Sequence, residues 1–153
     1  MKIAISFLAA SLVVLLDQAT KYLARGSIGP FETVRLLPFL QLVNVRNEGA
    51  AFGLFRGLGN ATFIVISLAA IVVVSYLIVR NREDRPGLCL ILGGAVGNVI
   101  DRILFRNVTD FIDVFVGRLH WPAFNVADSA LTIGIGILLL RSLIHGRRKR
   151  PEA

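Results

Sequence analysis

The sequence is poor in the residues that carry most enzyme chemistry. Its 153 residues include one cysteine, so no disulfide can form within the chain. That cysteine, Cys89, lies in an apolar run, which favours a small buried hydrophobe over a nucleophile. The two histidines, His120 and His145, belong to no H-E-x-x-H motif, and this argues against a zinc site. The sequence therefore favours neither a reactive thiol nor a zinc site, and we expect no cofactor.

Charge is also scarce. Charged residues make up 18% of the chain and hydrophobic residues 55%, and the mean hydropathy is +0.70. This composition is typical of a membrane protein and predicts one compact domain over residues 1–153. The net charge of +7 does not indicate a nucleic-acid partner, because the basic residues form no stripe interleaved with aromatics. Many of them lie in clusters at 80–85 and 147–150, beside apolar runs, as topology signals do.

Four apolar runs predict four transmembrane helices, at about 3–22, 61–79, 87–105 and 122–144. The first run resembles a signal peptide, but no clean small-residue cleavage site follows it, so we expect it to be retained. Four spans place both termini on one side of the membrane, together with the basic clusters. The positive-inside rule makes that side cytoplasmic, with a basic tail over 145–153.

Two outer loops, 26–60 and 106–121, are then left on the opposite side. Segments 31–37 and 39–45 have the alternating, β-branched character of short strands, and Pro38 between them predicts an edge or bent strand. Part of 103–121 is expected to form an interfacial helix, with Trp121 at headgroup depth. The predicted fold is thus an all-α membrane protein of four transmembrane helices, with a small extracytoplasmic β-sheet and an interfacial helix.

Polar residues gather at the predicted outer ends of three spans and in the second loop. Helical spacing places Asn98, Asp101 and Arg102 on one helix face, and likewise Asn125 with Asp128. Two carboxylates close together in a low-dielectric pocket share one proton, as in aspartic proteases. By helix geometry alone, Asp101 is the better partner for Asp128.

Five sequence blocks, in order, resemble the lipoprotein signal peptidases (signal peptidase type II). They are Asp17-Gln-Ala-Thr-Lys21, Asn47-Glu-Gly-Ala-Ala-Phe52, Gly93-Gly-Ala-Val-Gly-Asn98-Val-Ile-Asp101-Arg102, Val108-Thr-Asp110-Phe and Phe124-Asn125-Val-Ala-Asp128-Ser. The resemblance implies an aspartic endopeptidase of the bacterial cytoplasmic (inner) membrane, with its active site near the outer face. Such enzymes remove the signal peptide from diacylglyceryl-modified prolipoproteins, cutting before the lipidated cysteine. They contact membrane lipid, require no metal and are inhibited by globomycin-type compounds.

Carried over by motif, the resemblance implies that Asp110 and Asp128 are the catalytic pair. It implies substrate-binding or supporting roles for Asp17, Lys21, Asn47, Gly49, Asn98, Asp101, Arg102 and Asn125. Thr109 is a departure, since an aliphatic residue commonly precedes this aspartate in the family. Asp101 is then interpreted as an ion-pairing or capping acid beside Arg102, and Asp113 as a solvated or capping acid.

Two other functions fit intramembrane acids. A small transporter or proton-conducting protein would distribute its carboxylates through the depth of the membrane. A non-enzymatic assembly factor would use the polar cluster for stability alone. Incubation with a diacylated prolipoprotein, with and without globomycin, separates all three.

Overall fold

A computed structural model describes residues 1–49 and 59–148, with side chains up to Ile144. Four of its helices are long and apolar enough to cross a membrane, which confirms the predicted class. The elements in chain order are α1 (Ile3–Ser27), β1 (Val34–Leu37), β2 (Leu40–Asn47), α2 (Gly59–Arg80), α3 (Arg85–Phe105), β3 (Val108–Val116), β4 (Leu119–His120) and α4 (Val126–Arg148).

Helix α3 is the central helix and packs against α1, α2 and α4. Its glycines permit this close approach, as small residues do between membrane helices. A Cβ at Gly93 would lie 2.6 Å from the Val13 side chain of α1. A Cβ at Gly94 would overlap the backbone oxygen of Ala127 at the start of α4. Cys89, on the same helix, is 4% exposed within an apolar cluster, as expected of a small hydrophobe.

The predicted small sheet is present and is antiparallel, with the strand order β1-β2-β3-β4. Strand β1 lies at the edge, next to the turn that contains Pro38, as predicted. In the pairing of β2 with β3, Val45 lies opposite Asp110 and Asn47 opposite Val108. This register brings the end of β2 beside the Asp110 carboxylate.

The expectation of an interfacial helix within 103–121 is wrong. After α3 ends at Phe105, residues 108–116 form β3 and residues 119–120 form β4. The backbone of this segment bonds to β2 on one side, and on the other Phe124 accepts the N–H groups of Phe111 and Ile112. A helix could not make these inter-strand bonds.

Helix α4 begins at Val126 rather than near Pro122. Phe124 pairs with Ile112, so the chain is still extended at that point. The Asn125 side-chain oxygen accepts the N–H of Asp128 at 2.8 Å, which is the geometry of a helix N-cap. At their other ends α1 continues to Ser27, beyond the predicted 22, and α4 continues to Arg148 into the predicted tail. Residues 149–153 of that tail lie outside the described residues.

The close contact of α3 with α4 gives a direct test. Gly94→Ala should destabilise the protein by about 1–3 kcal/mol, the usual cost of overpacking, because the added methyl meets backbone as well as the Leu131 side chain at 2.8 Å. Gly136→Ala on α4 is the matched control, since no described atom lies within 4 Å of its Cβ position. Thermal unfolding in detergent measures both variants. Equal midpoints would contradict the predicted packing.

Candidate active site

Asp110 is a buried carboxylate on β3 held by two asparagine amides. Asn47 Nδ2 donates to its Oδ2 at 2.9 Å, and Asn125 Nδ2 donates to its Oδ1 at 2.7 Å. The side chain is almost fully enclosed, with an exposure of 1% for the residue. Strand β3 presents the acid, β2 supplies one donor, and the N-cap of α4 supplies the other.

Asp128 lies in the first turn of α4, half-buried, with Asn98 of α3 as its amide donor. The distance from Asn98 Nδ2 to Asp128 Oδ1 is 2.8 Å. Asn125 links the two acids, because its side-chain oxygen caps the Asp128 N–H while its nitrogen binds Asp110. The fold therefore brings together two carboxylates that are 18 positions apart in the sequence.

Each of the three amides is oriented by a partner on its oxygen. Asn47 Oδ1 accepts the Gly49 N–H at 3.0 Å, and Asn98 Oδ1 accepts the Lys21 ammonium at 2.9 Å. Asn125 Oδ1 accepts the Asp128 N–H. With every oxygen engaged, the N–H groups must point at the carboxylates, and such donors favour the ionised form of an acid.

Burial opposes that preference at Asp110. Loss of solvent, followed by the nearby Asp128 charge, raises the pKa of Asp110 to about 7, although Asn47, Asn125 and Lys21 pull it down. With this pKa, the Asp110 carboxyl is protonated in a substantial fraction of molecules near neutral pH, beside the second carboxylate with which it interacts. An acid and a base are thus available in one place, which suits proton-transfer catalysis.

Below this pair lies a buried ion cluster centred on Lys21. Its Nζ lies 2.9 Å from Asp17 Oδ2 and 3.6 Å from Asp101 Oδ2, and all three side chains are fully buried. Asp17 Oδ1 also accepts the N–H of Ala127 at 2.9 Å, so an acid of α1 caps α4. Asp101 accepts the backbone N–H of Thr109 at 2.9 Å. The predicted supporting acids thus bind α1, α3, β3 and α4 to one another.

The structure also places two residues in this cluster that sequence reasoning missed. Gln18 Nε2 donates to Asp17, to the Gly97 backbone oxygen and to Asp101. Arg25 Nη1 contacts Asp101 at 3.4 Å and donates to the Thr109 hydroxyl at 2.9 Å. Arg25 could have been predicted from helical spacing. It follows Lys21 by four residues and Asp17 by eight, so the three side chains share one helix face. Thr109, the departure from the family pattern, thus uses its hydroxyl to accept the Arg25 hydrogen bond.

Arg102 is buried at the wall of a cavity of about 490 Å³ next to the pair. Its Nη2 donates to the Gly49 backbone oxygen at 2.8 Å, and its guanidinium carbon lies over the Phe63 ring, 4.5 Å from the centroid. Asp128 also lines the cavity, and the rest of the lining is largely apolar, with Trp121, Pro122, Phe124, Leu131 and Ile133. An apolar cavity with a few convergent polar groups is the usual form of a binding site.

Asp113 lies apart from this site, and its interpretation as a solvated or capping acid is wrong. It is 8% exposed, accepts a bond from Gln41 Nε2 at 2.7 Å and contacts His120 Nδ1 at 2.9 Å. His120 in turn stacks on Phe115. Asp113 points to the other face of β3 because it is three residues from Asp110, an odd number on a strand.

No described group of three or more histidine, cysteine, aspartate or glutamate side chains is placed to hold a metal ion.

Comparison with known proteins gives consistent matches. The family model described as Signal peptidase (SPase) II matches residues 9–144. A lipoprotein signal peptidase of Thermodesulfovibrio yellowstonii is 47% identical over 86% of this chain and 90% of the relative, and that of Syntrophotalea carbinolica is 43% identical over 94% of both. A solved bacterial membrane enzyme superposes with a TM-score of 0.88 at 33% identity, over 98% of this chain and 94% of its own.

The buried ion cluster predicts a large difference between two acid-to-alanine variants. Asp17→Ala leaves Lys21 buried without its nearest acid and removes a cap of α4, and should cost about 3–5 kcal/mol. Glu83→Ala is the control, because Glu83 is 70% exposed in its 3.6 Å pair with Arg141, and exposed pairs contribute about 0–1 kcal/mol. Unfolding in detergent compares the two. Similar losses would show that the buried pair does not hold the helices together.

Proposed function

The chain belongs to the signal peptidase II family, and we propose that it is an aspartic endopeptidase that acts on diacylglyceryl-modified prolipoproteins. The bond cut is the one before the lipidated cysteine, so the signal peptide is released. The observation that carries the aspartic mechanism is the arrangement of Asp110 and Asp128. They are two carboxylates linked by the Asn125 amide, beside an apolar cavity, and burial raises the pKa of Asp110 to about 7.

The proposed reaction uses the two acids in opposite states. The ionised acid takes a proton from a water molecule, whose oxygen attacks the scissile carbonyl carbon, while the protonated acid donates a hydrogen bond to the carbonyl oxygen. The tetrahedral intermediate collapses when the acid that took the water proton gives it to the amide nitrogen and the C–N bond breaks, which returns the pair to its starting state. The products are a new carboxylate on the signal peptide and a free amine on the lipidated cysteine.

The amides and Arg102 hold this geometry. Asn98 and Asn125 donate to the acids and keep their carboxylate planes fixed, which preorganises the charges for the transition state. Asn47 and Gly49 belong to the loop that contacts substrate. Arg102 fixes that loop through the Gly49 backbone oxygen at 2.8 Å.

The cavity accounts for the substrate. Its apolar lining, from β3 and the 121–124 segment to α4, suits the hydrophobic residues of a signal peptide. The signal helix enters sideways from the bilayer between the spans, and the diacylglyceryl group remains in lipid. Globomycin-type inhibitors are expected to act at the same cavity.

The protein is a multi-pass membrane protein, and we place both termini in the cytoplasm and the pair of acids near the outer face of the inner membrane. Cysteine labelling tests this orientation, because native Cys89 is buried. In intact spheroplasts an impermeant maleimide should label Arg118→Cys, in the exposed turn between β3 and β4. It should label Arg82→Cys, between α2 and α3, only after permeabilisation. The reverse pattern would overturn the orientation.

The catalytic assignment predicts the effect of isosteric changes. Asp110→Asn and Asp128→Asn should each lower kcat for a diacylated prolipoprotein by at least about 100-fold, since each removes one partner in proton transfer. Asp113→Asn is the matched control, a buried acid on the same strand that bonds away from the cavity. Mass spectrometry of the products gives both the rate and the position of the cut.

Three results would contradict the proposal. Near-normal turnover in either variant would exclude the acid pair as the catalyst. Cleavage at a bond other than the one before the lipidated cysteine would exclude the proposed specificity. Absence of any globomycin-sensitive cleavage by the unaltered protein would favour the transporter or the assembly factor.

A further inference from the structure

The acid pair lies next to a set of charged side chains on two helices, α1 and α3. We call this the buried charge set and define it as Asp17, Lys21, Arg25, Asp101 and Arg102. Within the described residues, it contributes three positive charges and two negative ones. Four of the five residues are at least nine-tenths buried, and Arg25 is half-buried.

We propose that the buried charge set limits the Asp110 and Asp128 carboxylates to one proton between them, with Lys21 as the positioning residue. This inference rests on the proposed function. The net charge of the set is +1, which is neutralised by one ionised carboxylate of the pair. The other carboxylate must then keep its proton, because an uncompensated buried charge is strongly unfavourable. One acid and one base is the state that the proposed reaction requires.

The geometry connects the set to the pair. The Lys21 ammonium donates to Asp17 Oδ2 and to Asn98 Oδ1, each at 2.9 Å, and forms an ion pair with Asp101 Oδ2 at 3.6 Å. The bond to Asn98 turns that amide so that its N–H meets Asp128 at 2.8 Å. Lys21 therefore acts on the pair in two ways, by its charge and by the orientation of one amide.

Arg102 completes the set from the cavity side, because it attracts Asp101, Asp110 and Asp128 electrostatically. Lys21 likewise attracts both acids of the pair. In a site of low dielectric, a unit charge several ångströms away changes a proton equilibrium by more than tenfold.

The other charged groups near the pair add no net charge to it. Arg46 on β2 and Glu48 just after it are exposed and of opposite sign. On β3, Asp113 is bound to His120 and faces away from the pair. On α3, Arg85 lies about 24 Å from Asp101 along the helix axis, at a rise of about 1.5 Å per residue. Arg85 donates instead to the Ile78 backbone oxygen at the end of α2.

The test is the position of the pH profile of kcat, separate from its height. For the unaltered protein, activity should fall as the pH rises through about 7, where Asp110 loses its proton. Lys21→Met removes a positive charge, raises the pKa of Asp110, and should move the profile upward by about one pH unit or more. Asp101→Asn removes a negative charge and should move it downward by a similar amount.

The double variant Lys21→Met/Asp101→Asn restores the net charge of +1. Its profile should return to the unaltered position, although kcat remains low because Asn98 is no longer oriented. A purely structural role for Lys21 would lower the height of the profile in every variant without moving it. Asp113→Asn is the control that changes one buried acid outside the set and should leave the position unchanged.

Failure of this inference can be distinguished from failure of the proposed function. If the unaltered protein cleaves substrate and the pair variants do not, but the Lys21 and Asp101 variants keep the original profile position, then the inference is wrong and the function stands. If the single variants do not fold, difference infrared spectroscopy of the unaltered protein and of Asp110→Asn replaces them. It should show one protonated carboxyl at neutral pH that the variant alters, and two or none would overturn the inference.

Discussion

The structure depends on the burial of the Lys21 ammonium between α1 and α3, two helices apolar enough to cross a membrane. A buried cation is tolerated only where acceptors surround it, and Asp17, Asn98 and Asp101 supply them. Because Asp17 belongs to α1 and the other two to α3, the requirement sets how far the two helices can rotate about each other. Asp17 also accepts the Ala127 N–H, so the same interaction fixes the start of α4.

The close packing of the helices serves this cluster. A Cβ at Gly97 would lie 2.5 Å from Asp17 Oδ2, so only glycine leaves room for the acid that binds both Lys21 and α4. The sheet supplies the other acid. Strand β3 places Asp110 next to the cluster, and the pairing of β2 with β3 places Asn47 within hydrogen-bond distance of Asp110. The site is thus assembled from helices on one side and strands on the other.

The features that could be predicted from sequence are local ones. Apolar runs of sufficient length located four helices, and alternation located β1 and β2. Strand β3 was missed because polar residues, Thr109, Asp110 and Asp113, fall on both of its faces and hide the two-residue period. Helix geometry favoured Asp101, yet it lies about 60° around α3 from Asn98 and faces α1 instead. The proximity of Asp110 depends on strand pairing, which spacing along the chain does not reveal.

The buried charge set can form only in the order in which its helices are synthesised. Lys21 and Arg25 enter the membrane on the first helix, well before Asp101 of α3 is made. Until then these cations can be kept in contact with water only near the membrane surface. Their ion pairs with Asp101 can form only after α3 has been synthesised, and Asp17 can cap α4 only after α4 has followed. A chain that lacks α4 lacks Asp128, so the two carboxylates of the candidate site meet only when the last helix is in place.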